Sequence, residues 1–320
     1  MPNPAPIVPC DERNIRTAAD IISAGGLVAF GTETVYGLGA DATNAEAVAK
    51  IFAAKGRPTF NPLISHVTNL NAVTNIGHVT EIATKVANTY WPGPLTLVLQ
   101  KTDTCNVTKL TTAGLDTVAI RIPGRDIARD FLNACGVPIA APSANASGGI
   151  SPTQATHVAS SLPVPDEGGP VLILDTGPCD VGLESTVLDL STETPTLLRP
   201  GAVTREDIEQ LIGPIALAGT DDKTPKSPGM LSRHYAPATP LRTDAVDQQT
   251  GEVVLGFGQT DITVDLNLSE TGDLLEASAN LFDMLHRLDA LNASGIAVTP
   301  IPKMGLGHAI NDRLRRAVAR

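Results

Sequence analysis

Aromatic residues are scarce in this 320-residue chain, 3% in all, with one Trp, three Tyr and six Phe. A core must therefore come mainly from Ala, Val, Leu and Ile, and platforms that stack nucleic-acid bases are not expected. Positive charge is short as well. Lys and Arg number 23 against 34 Asp and Glu, a formal charge of −11, which argues against a surface built for nucleic acid and predicts no strong direct nucleic-acid binding. No apolar run approaches about 18 residues, and the N-terminus lacks a basic start followed by an apolar stretch, so we expect an untargeted cytoplasmic protein with no membrane partner. The four cysteines, Cys10, Cys105, Cys135 and Cys179, form no C-x-x-C pair and have no His at ligand spacing, which predicts reduced thiols and no metal site of their own. A Walker A loop, an H-E-x-x-H helix and a G-x-S-x-G elbow are all missing, against a P-loop ATPase, a zincin and a serine hydrolase of the elbow type.

What remains is a globular composition, 42% hydrophobic and 18% charged, with length for about two domains. Asp11 is placed to cap a helix that stops at Gly25-Gly26, and Asn44 to cap an Ala-rich helix ending at Gly56. Between and after them, LVAF, PLISHV, PLTLVLQ, TVAIRIP, VPIAAP, VLILD, STVLDL and TLLRP read as strands, with helices near Glu81–Thr89 and Asp126–Ala134. The late strands follow one another without helices, so the sheet should be mixed. A short helix ends at Gly213. The next 27 residues, rich in Gly, Pro, Asp, Lys and Ser, read as a linker. Beyond Leu241 a smaller α/β unit follows: EVVLGFG, ITVDL, a helix near Glu276–Leu291, the strand GIAVTPIP and a basic helix from Ile310. The division is thus 1–213, 214–240 and 241–320.

Lys55-Gly56-Arg57-Pro58 puts two cations around a glycine just after a helix, an arrangement that would face a cleft and hold anions. The plainer reading is a basic helix end answering the helix dipole. Thr32 to Gly39 reads as a polar loop at a strand end; its glycines imitate a dinucleotide fingerprint but lie too far from the strand and the next helix cap. Ser143 and Asn145 end an apolar strand and could share a ligand, or could merely satisfy a turn. Arg121 and Arg199 close strands with no nearby acid, which makes them candidates for a carboxylate or phosphate.

Taken in order, TETVYGLGADA, KGRPTFNPLISHV, WPGPLTLVL, TVAIRIP, APSAN, ESTVLDL and LRPGAVT resemble the YrdC-domain family over about Asn14 to Gln210. SPGMLSRHYAP and GLGHAINDRLRRA resemble its long form, the threonylcarbamoyl-AMP synthases with a C-terminal extension. The resemblance implies a YrdC-like twisted mixed sheet with helices, plus a smaller Rossmann-like α/β domain. It implies that L-threonine, bicarbonate or CO2, and ATP with Mg2+ become L-threonylcarbamoyladenylate and pyrophosphate, with no tightly bound organic cofactor, and that a tRNA threonylcarbamoyl transferase complex receives the product. By the same resemblance the catalytic pair is Lys55 and Arg57. The threonine pocket falls on Thr34, His66, Arg121, Ser143 and Ser185, and the nucleotide contacts on Arg57, Asn61, Thr117, main chain near Ala141, Asn145, Ser151, Arg199 and Tyr235. Two positions depart from the family's pattern, Leu231 and Ser232, where a basic and an aromatic residue are common.

The segment around Ser227-Pro228-Gly229, followed by Arg233, His234 and Tyr235, is expected to act as a lid over bound ATP. Two rival functions stay open at this point. One is an RNA-binding module, although residues 1–210 hold 13 basic against 21 acidic side chains. The other is a carbamoyl-transferring enzyme with a YrdC-like domain, which should also carry acylphosphatase and zinc-finger segments.

Overall fold

The computed structural model describes residues 4–219 and 234–319. Ser227–Gly229, Leu231, Ser232 and Arg233 lie outside the described residues. In the first unit the strands are β1 (Ile7–Pro9), β2 (Val28–Gly31), β3 (Tyr36–Asp41), β4 (Ile64–His66), β5 (Leu95–Gln100), β6 (Thr117–Arg121), β7 (Ile139–Ala140), β8 (Leu172–Asp175), β9 (Thr186–Asp189), β10 (Thr196–Arg199) and β11 (Ala216–Leu217). They form one sheet in the order β1-β8-β2-β3-β7-β4-β6-β5-β9-β10-β11. Parallel pairs such as β4 with β6 alternate with antiparallel ones such as β5 with β6, so the sheet is mixed.

Both faces are covered because side chains alternate along each strand. On β2, Val28 and Phe30 meet α1 (Glu12–Ser23) and α5 (Asp126–Cys135) through Ile22 and Phe131. Ala29 turns to the larger core with Val48 and Ile51 of α2 (Ala45–Lys55) and Val86 of α4 (Glu81–Tyr90). Asp11 accepts from the Asn14 N–H to start α1, and Asn44 caps α2, which stops at Gly56 with φ 59°. Three short α-helices and one 3-10 turn complete this unit: α3 (Leu70–Ile76), α6 (Ala155–Ser161), α7 (Arg205–Ile212) and Pro165–Glu167.

The second unit is a parallel sheet, β12 (Leu241–Arg242), β15 (Gly295–Val298), β13 (Glu252–Gly256) and β14 (Leu266–Asn267) in that order, with α8 (Leu274–Asp289) and α9 (Leu306–Val318). Its core is continuous with the first unit: Val35, Ile150 and Leu183 pack in one cluster with Tyr235 of the connecting segment and with Leu281, Phe282, Ile310 and Leu314. Ser278 Oγ of α8 donates to Val181 O at 3.1 Å, and Gln154 Nε2 donates to Asp283 Oδ1 at 2.6 Å. At Gly182 (φ 71°) a Cβ would stand 2.5 Å from the α8 backbone, so the chain approaches that helix bare.

Four expectations change. The glycine-bearing segment read as a polar loop is in large part strand β3, paired antiparallel with β2. Its glycines are needed for closeness, since a Cβ at Gly39 would lie 3.1 Å from Ile139 and Phe30 side chains. Of ITVDL only Leu266 joins the ladder, the preceding residues being held as a turn by Thr260 Oγ1 donating to Ile262 O. The last helix begins four residues early, at Leu306. The stretch read as a linker begins with β11, which extends the first sheet by pairing with β10.

Candidate active site

Strand ends converge on one cavity. The turn after β2 buries Thr32 and Thr34, whose hydroxyls lie 2.8 Å apart. Arg121 ends β6, beside His66 at the end of β4 because the parallel register pairs them. Its guanidinium donates from Nη1 to Thr34 Oγ1 at 2.8 Å, from Nη2 to Glu33 Oε1 at 2.5 Å, and from Nε to Gly93 O at 3.2 Å. Five N–H groups less three bonds leaves one N–H on each terminal nitrogen, a fork that matches a carboxylate. Burial opposes ionisation of Glu33, but the Arg121 charge and the hydrogen bonds to the carboxylate together outweigh it and hold the carboxyl below its usual range. Burial, and then Arg121, pushes His66 down to about 3, so its imidazole is neutral. Its Nδ1 is buried without a hydrogen-bond partner.

The opposite wall is made by β9, β10 and the start of the second unit. Ser185 Oγ lies 2.8 Å from Thr96 Oγ1, and Arg199 holds Ser185 through its carbonyl at 2.8 Å and its hydroxyl at 3.1 Å. Arg57 donates to Asn61 O at 3.3 Å and Pro62 O at 3.1 Å, and burial, then Arg199, lowers it to about 10. Glu184 is buried between two donors: Ser151 Oγ, and Arg313 Nε at 3.0 Å. Tyr235 has φ 65°, with its ring stacked on Phe282 at 5.6 Å and its hydroxyl unpartnered.

Of the residues proposed from sequence, Thr34, Arg57, His66, Arg121, Ala141, Ser143, Ser185, Arg199 and Tyr235 line this cavity together. The others do not. Lys55 was expected as a solvated cation facing the cleft, yet it is 4% exposed. Its amine donates to the carbonyls of Ser143, at 2.6 Å, and of Asn145. Burial, and then Arg57, drops its pKa well below the ordinary value. Lys55 therefore staples the Ser143–Asn145 turn from behind, while Asn145 Nδ2 closes that turn onto Gly149 O at 2.9 Å. Asn61 offers Arg57 its main-chain oxygen. Ser151 stands behind Glu184. Thr117 begins β6 opposite Gln100, four residues from Arg121, which at the strand rise is about 13 Å away.

Glu33, Glu184 and Arg313 were not singled out for the site, whereas the Thr32 hydroxyl, read with that of Thr34 as suited to a small polar ligand, does line the cavity. A sequence signal existed for Arg313, which falls on the apolar stripe of its helix with Ala309, Ile310, Leu314 and Ala317, all buried, where a cation needs a partner. Among the described residues no group of three or more His, Cys, Asp or Glu side chains is placed to hold a metal ion. No described helix is long and apolar enough to cross a membrane.

The family model described as telomere recombination, Sua5/YciO/YrdC, matches residues 20–201, and the model of the threonylcarbamoyl-AMP synthase C-terminal domain matches residues 203–319. The chain is similar to a threonylcarbamoyl-AMP synthase of Pyrococcus abyssi, 41% identical over 96% of this chain and 94% of the relative. It is similar to one of Bacillus subtilis at 39% over 96% and 93%. Among solved structures, a crystal structure of P. abyssi Sua5 complexed with L-threonine matches with TM-score 0.88 and 39% identity, covering 98% of this chain and 96% of that one.

Proposed function

Because the chain belongs to the Sua5/YciO/YrdC family and carries the C-terminal domain of its threonylcarbamoyl-AMP synthases, we propose that it makes L-threonylcarbamoyladenylate from L-threonine, bicarbonate or CO2, and ATP. The observation that carries this reading is the Arg121 fork, open on both terminal nitrogens and set in a cavity with Thr34, His66, Ser143 and Ser185. The fork takes the threonine carboxylate in two parallel bonds. Glu33 and Thr34 hold it in plane, so little rotamer freedom is lost on binding. Neutral His66 and the hydroxyl of Ser143 suit a substrate hydroxyl and amine without adding charge.

The threonine amine, as the free base, adds through its lone pair to the carbon of CO2, a C=O pair moves to oxygen and the nitrogen gives up a proton to water, leaving a carbamate. One carbamate oxygen attacks the α-phosphorus of ATP as the bond to the β-phosphate oxygen breaks, and pyrophosphate leaves with that electron pair. An anion attacks an anion here, so positioning and fixed positive charge set the barrier. Arg57 and Arg199 supply charge at the cavity wall, and Lys55 contributes by fixing the Ser143–Asn145 turn. Magnesium would enter with the ATP substrate and would offset part of the phosphate charge. The cavity is small, about 40 Å³, on a scale where one water takes about 10–15 Å³; a triphosphate enters only when His234 and Tyr235 withdraw, which is the lid reading reduced to its described end. Asn61 and Ser151 reach nucleotide only through that rearrangement, and Thr117, at the far end of β6, has no part in it. The product passes to a tRNA threonylcarbamoyl transferase complex, and a cytoplasmic location fits that hand-over.

The test is identification of the product from ATP, bicarbonate and labelled threonine. Pyrophosphate release should need threonine and bicarbonate together, since the attacking oxygen exists only after both combine. Equal release without threonine would reduce the protein to an ATP pyrophosphatase and sink the reading.

A further inference from the structure

Arg313 is the largest side chain in the described residues that is almost wholly buried, 1% exposed, and it comes from α9 of the second unit. All of its polar contacts but one cross into the first. Nε donates to Glu184 Oε2 at 3.0 Å, Nη2 to Glu184 O at 3.4 Å, and Nη1 to Pro200 O at 2.6 Å; the exception is Asp312, 3.5 Å from Nη1. Glu184 immediately precedes Ser185, and Pro200 immediately follows Arg199. A single guanidinium thus ties together the entry to β9 and the exit from β10, the two places where the cavity wall carries Ser185 and Arg199. Its Cζ also stands 5.4 Å from the centre of the Tyr235 ring.

Charge gives this arrangement a consequence beyond packing. Among the described residues that line the cavity Glu184 is the one carboxylate, on the wall where the functional reading puts an anionic triphosphate. With Arg313 in place that carboxylate is neutralised and held against α9 with Ser151. Without it, a buried anion is left near Arg199, free to turn toward it and to repel phosphate. A merely structural cross-link between the two units would have no need of a carboxylate at the cavity surface.

We propose that Arg313 is a positioning residue for the nucleotide half of the site, supplied by the C-terminal domain to neutralise and orient Glu184 and, through Pro200 O, to hold Arg199 in place, while the Ser185 hydroxyl keeps its own partner in Thr96. This rests on the functional reading above and deepens it, because it gives the second unit a defined role in ATP binding and none in threonine recognition. Arg121, Thr34 and His66 make no contact with Arg313, so the two substrates should respond differently to its loss.

The experiment uses the full-length chain as wild type, Arg313→Met, Arg313→Lys and Arg313→Met with Glu184→Gln, assayed for threonine-dependent pyrophosphate release with ATP and threonine varied in turn. Arg313→Met should raise the KM for ATP at least tenfold and that for threonine less than threefold. Removing the stranded charge in the double variant should recover at least threefold of the ATP effect. Arg313→Lys keeps the charge without the fork and should fall between wild type and Arg313→Met. If Arg313→Met does not fold, Arg313→Lys decides alone, with an ATP effect of at least threefold and an unchanged threonine KM in support. The proposal is overturned if both KM values rise in step, if the decisive variant matches wild type, or if Glu184→Gln gives no recovery. A wild-type chain that makes no adenylate overturns the functional reading instead, so the two failures are distinct.

Discussion

The two walls of the cavity are built by different means. Glu33 and Thr34 lie in the turn between β2 and β3, His66 and Arg121 on the paired ends of β4 and β6, all within the first unit, and Arg121 bonds both Glu33 and Thr34. The wall of Glu184, Ser185, Arg199 and Tyr235 is assembled across the two units, with Arg313 reaching in from α9 and Tyr235 lying on Phe282 of α8. Strand ends in one sheet give a rigid seat for a small zwitterion. A wall shared between two packed units can open, which a triphosphate and its leaving pyrophosphate require.

The sharpest break of that contrast is Arg121→Met. It removes the carboxylate fork and strands the buried Glu33, so kcat/KM for threonine should fall about 10²- to 10³-fold, while binding of a non-hydrolysable ATP analogue changes little. Equal loss for both ligands would mean that the walls are not separate.

Lys55→Met comes next, because Lys55 lies behind the turn that joins the walls. Two buried carbonyls lose their donor, at a cost of about 1–3 kcal/mol each where no water replaces it. The urea midpoint should drop at unchanged m-value. A variant as stable as wild type but inactive would return Lys55 to the role of a cavity cation.

How much of this could be read beforehand depended on what kind of signal a residue sends. PLTLVLQ and TVAIRIP are apolar runs punctuated by Pro, and β5 and β6 lie within them. β3 was hidden because Tyr36–Asp41 contains two glycines, which propensity assigns to turns, whereas here they let Ala141 and Ile139 pack close. Arg121 was legible as a strand-end cation suited to an anion, but surface placement was the plainer reading, and its burial at 3% exposure came from the fold. Its partner Glu33 lies 88 positions away, a pairing that spacing cannot show. Lys55 and Arg57 look alike in sequence, but a left-handed Gly56 between them sends one behind the Ser143 turn and the other to the cavity. Thr117 and Arg121 share a strand, and nothing in the run itself says which end meets the site.

Substrate discrimination sharpens the threonine side of the comparison. Serine lacks one methyl, and if that methyl packs in the seat serine should be poorer by roughly 1–3 kcal/mol in kcat/KM, with the ATP KM unmoved. Competition of the two amino acids for product formation measures this.

The smallest effect is expected from acid. Burial lowers His157 to about 4 and, with it, its stacked neighbour His286, 4.0 Å away across the two units; His66 is lowered to about 3. These groups are neutral when folded and protonate when unfolded below about 6.5, so the unfolded chain binds more protons and stability is lost as pH falls from 6.5 toward 4. The Glu33 and Glu184 carboxyls, held below 4.5, add their losses only at lower pH. His157→Gln should flatten the urea midpoint between pH 6.5 and 4.5; an unaltered slope would show that the stack between the units does not titrate.

Calorimetric titration of L-threonine into the full-length chain at neutral pH, with no nucleotide present, tests most directly whether the first wall is a ready-made seat. The account predicts saturable binding of one threonine per chain that disappears in Arg121→Met. Absence of binding until ATP is added would contradict it, and would mean that the seat forms only when both walls close together.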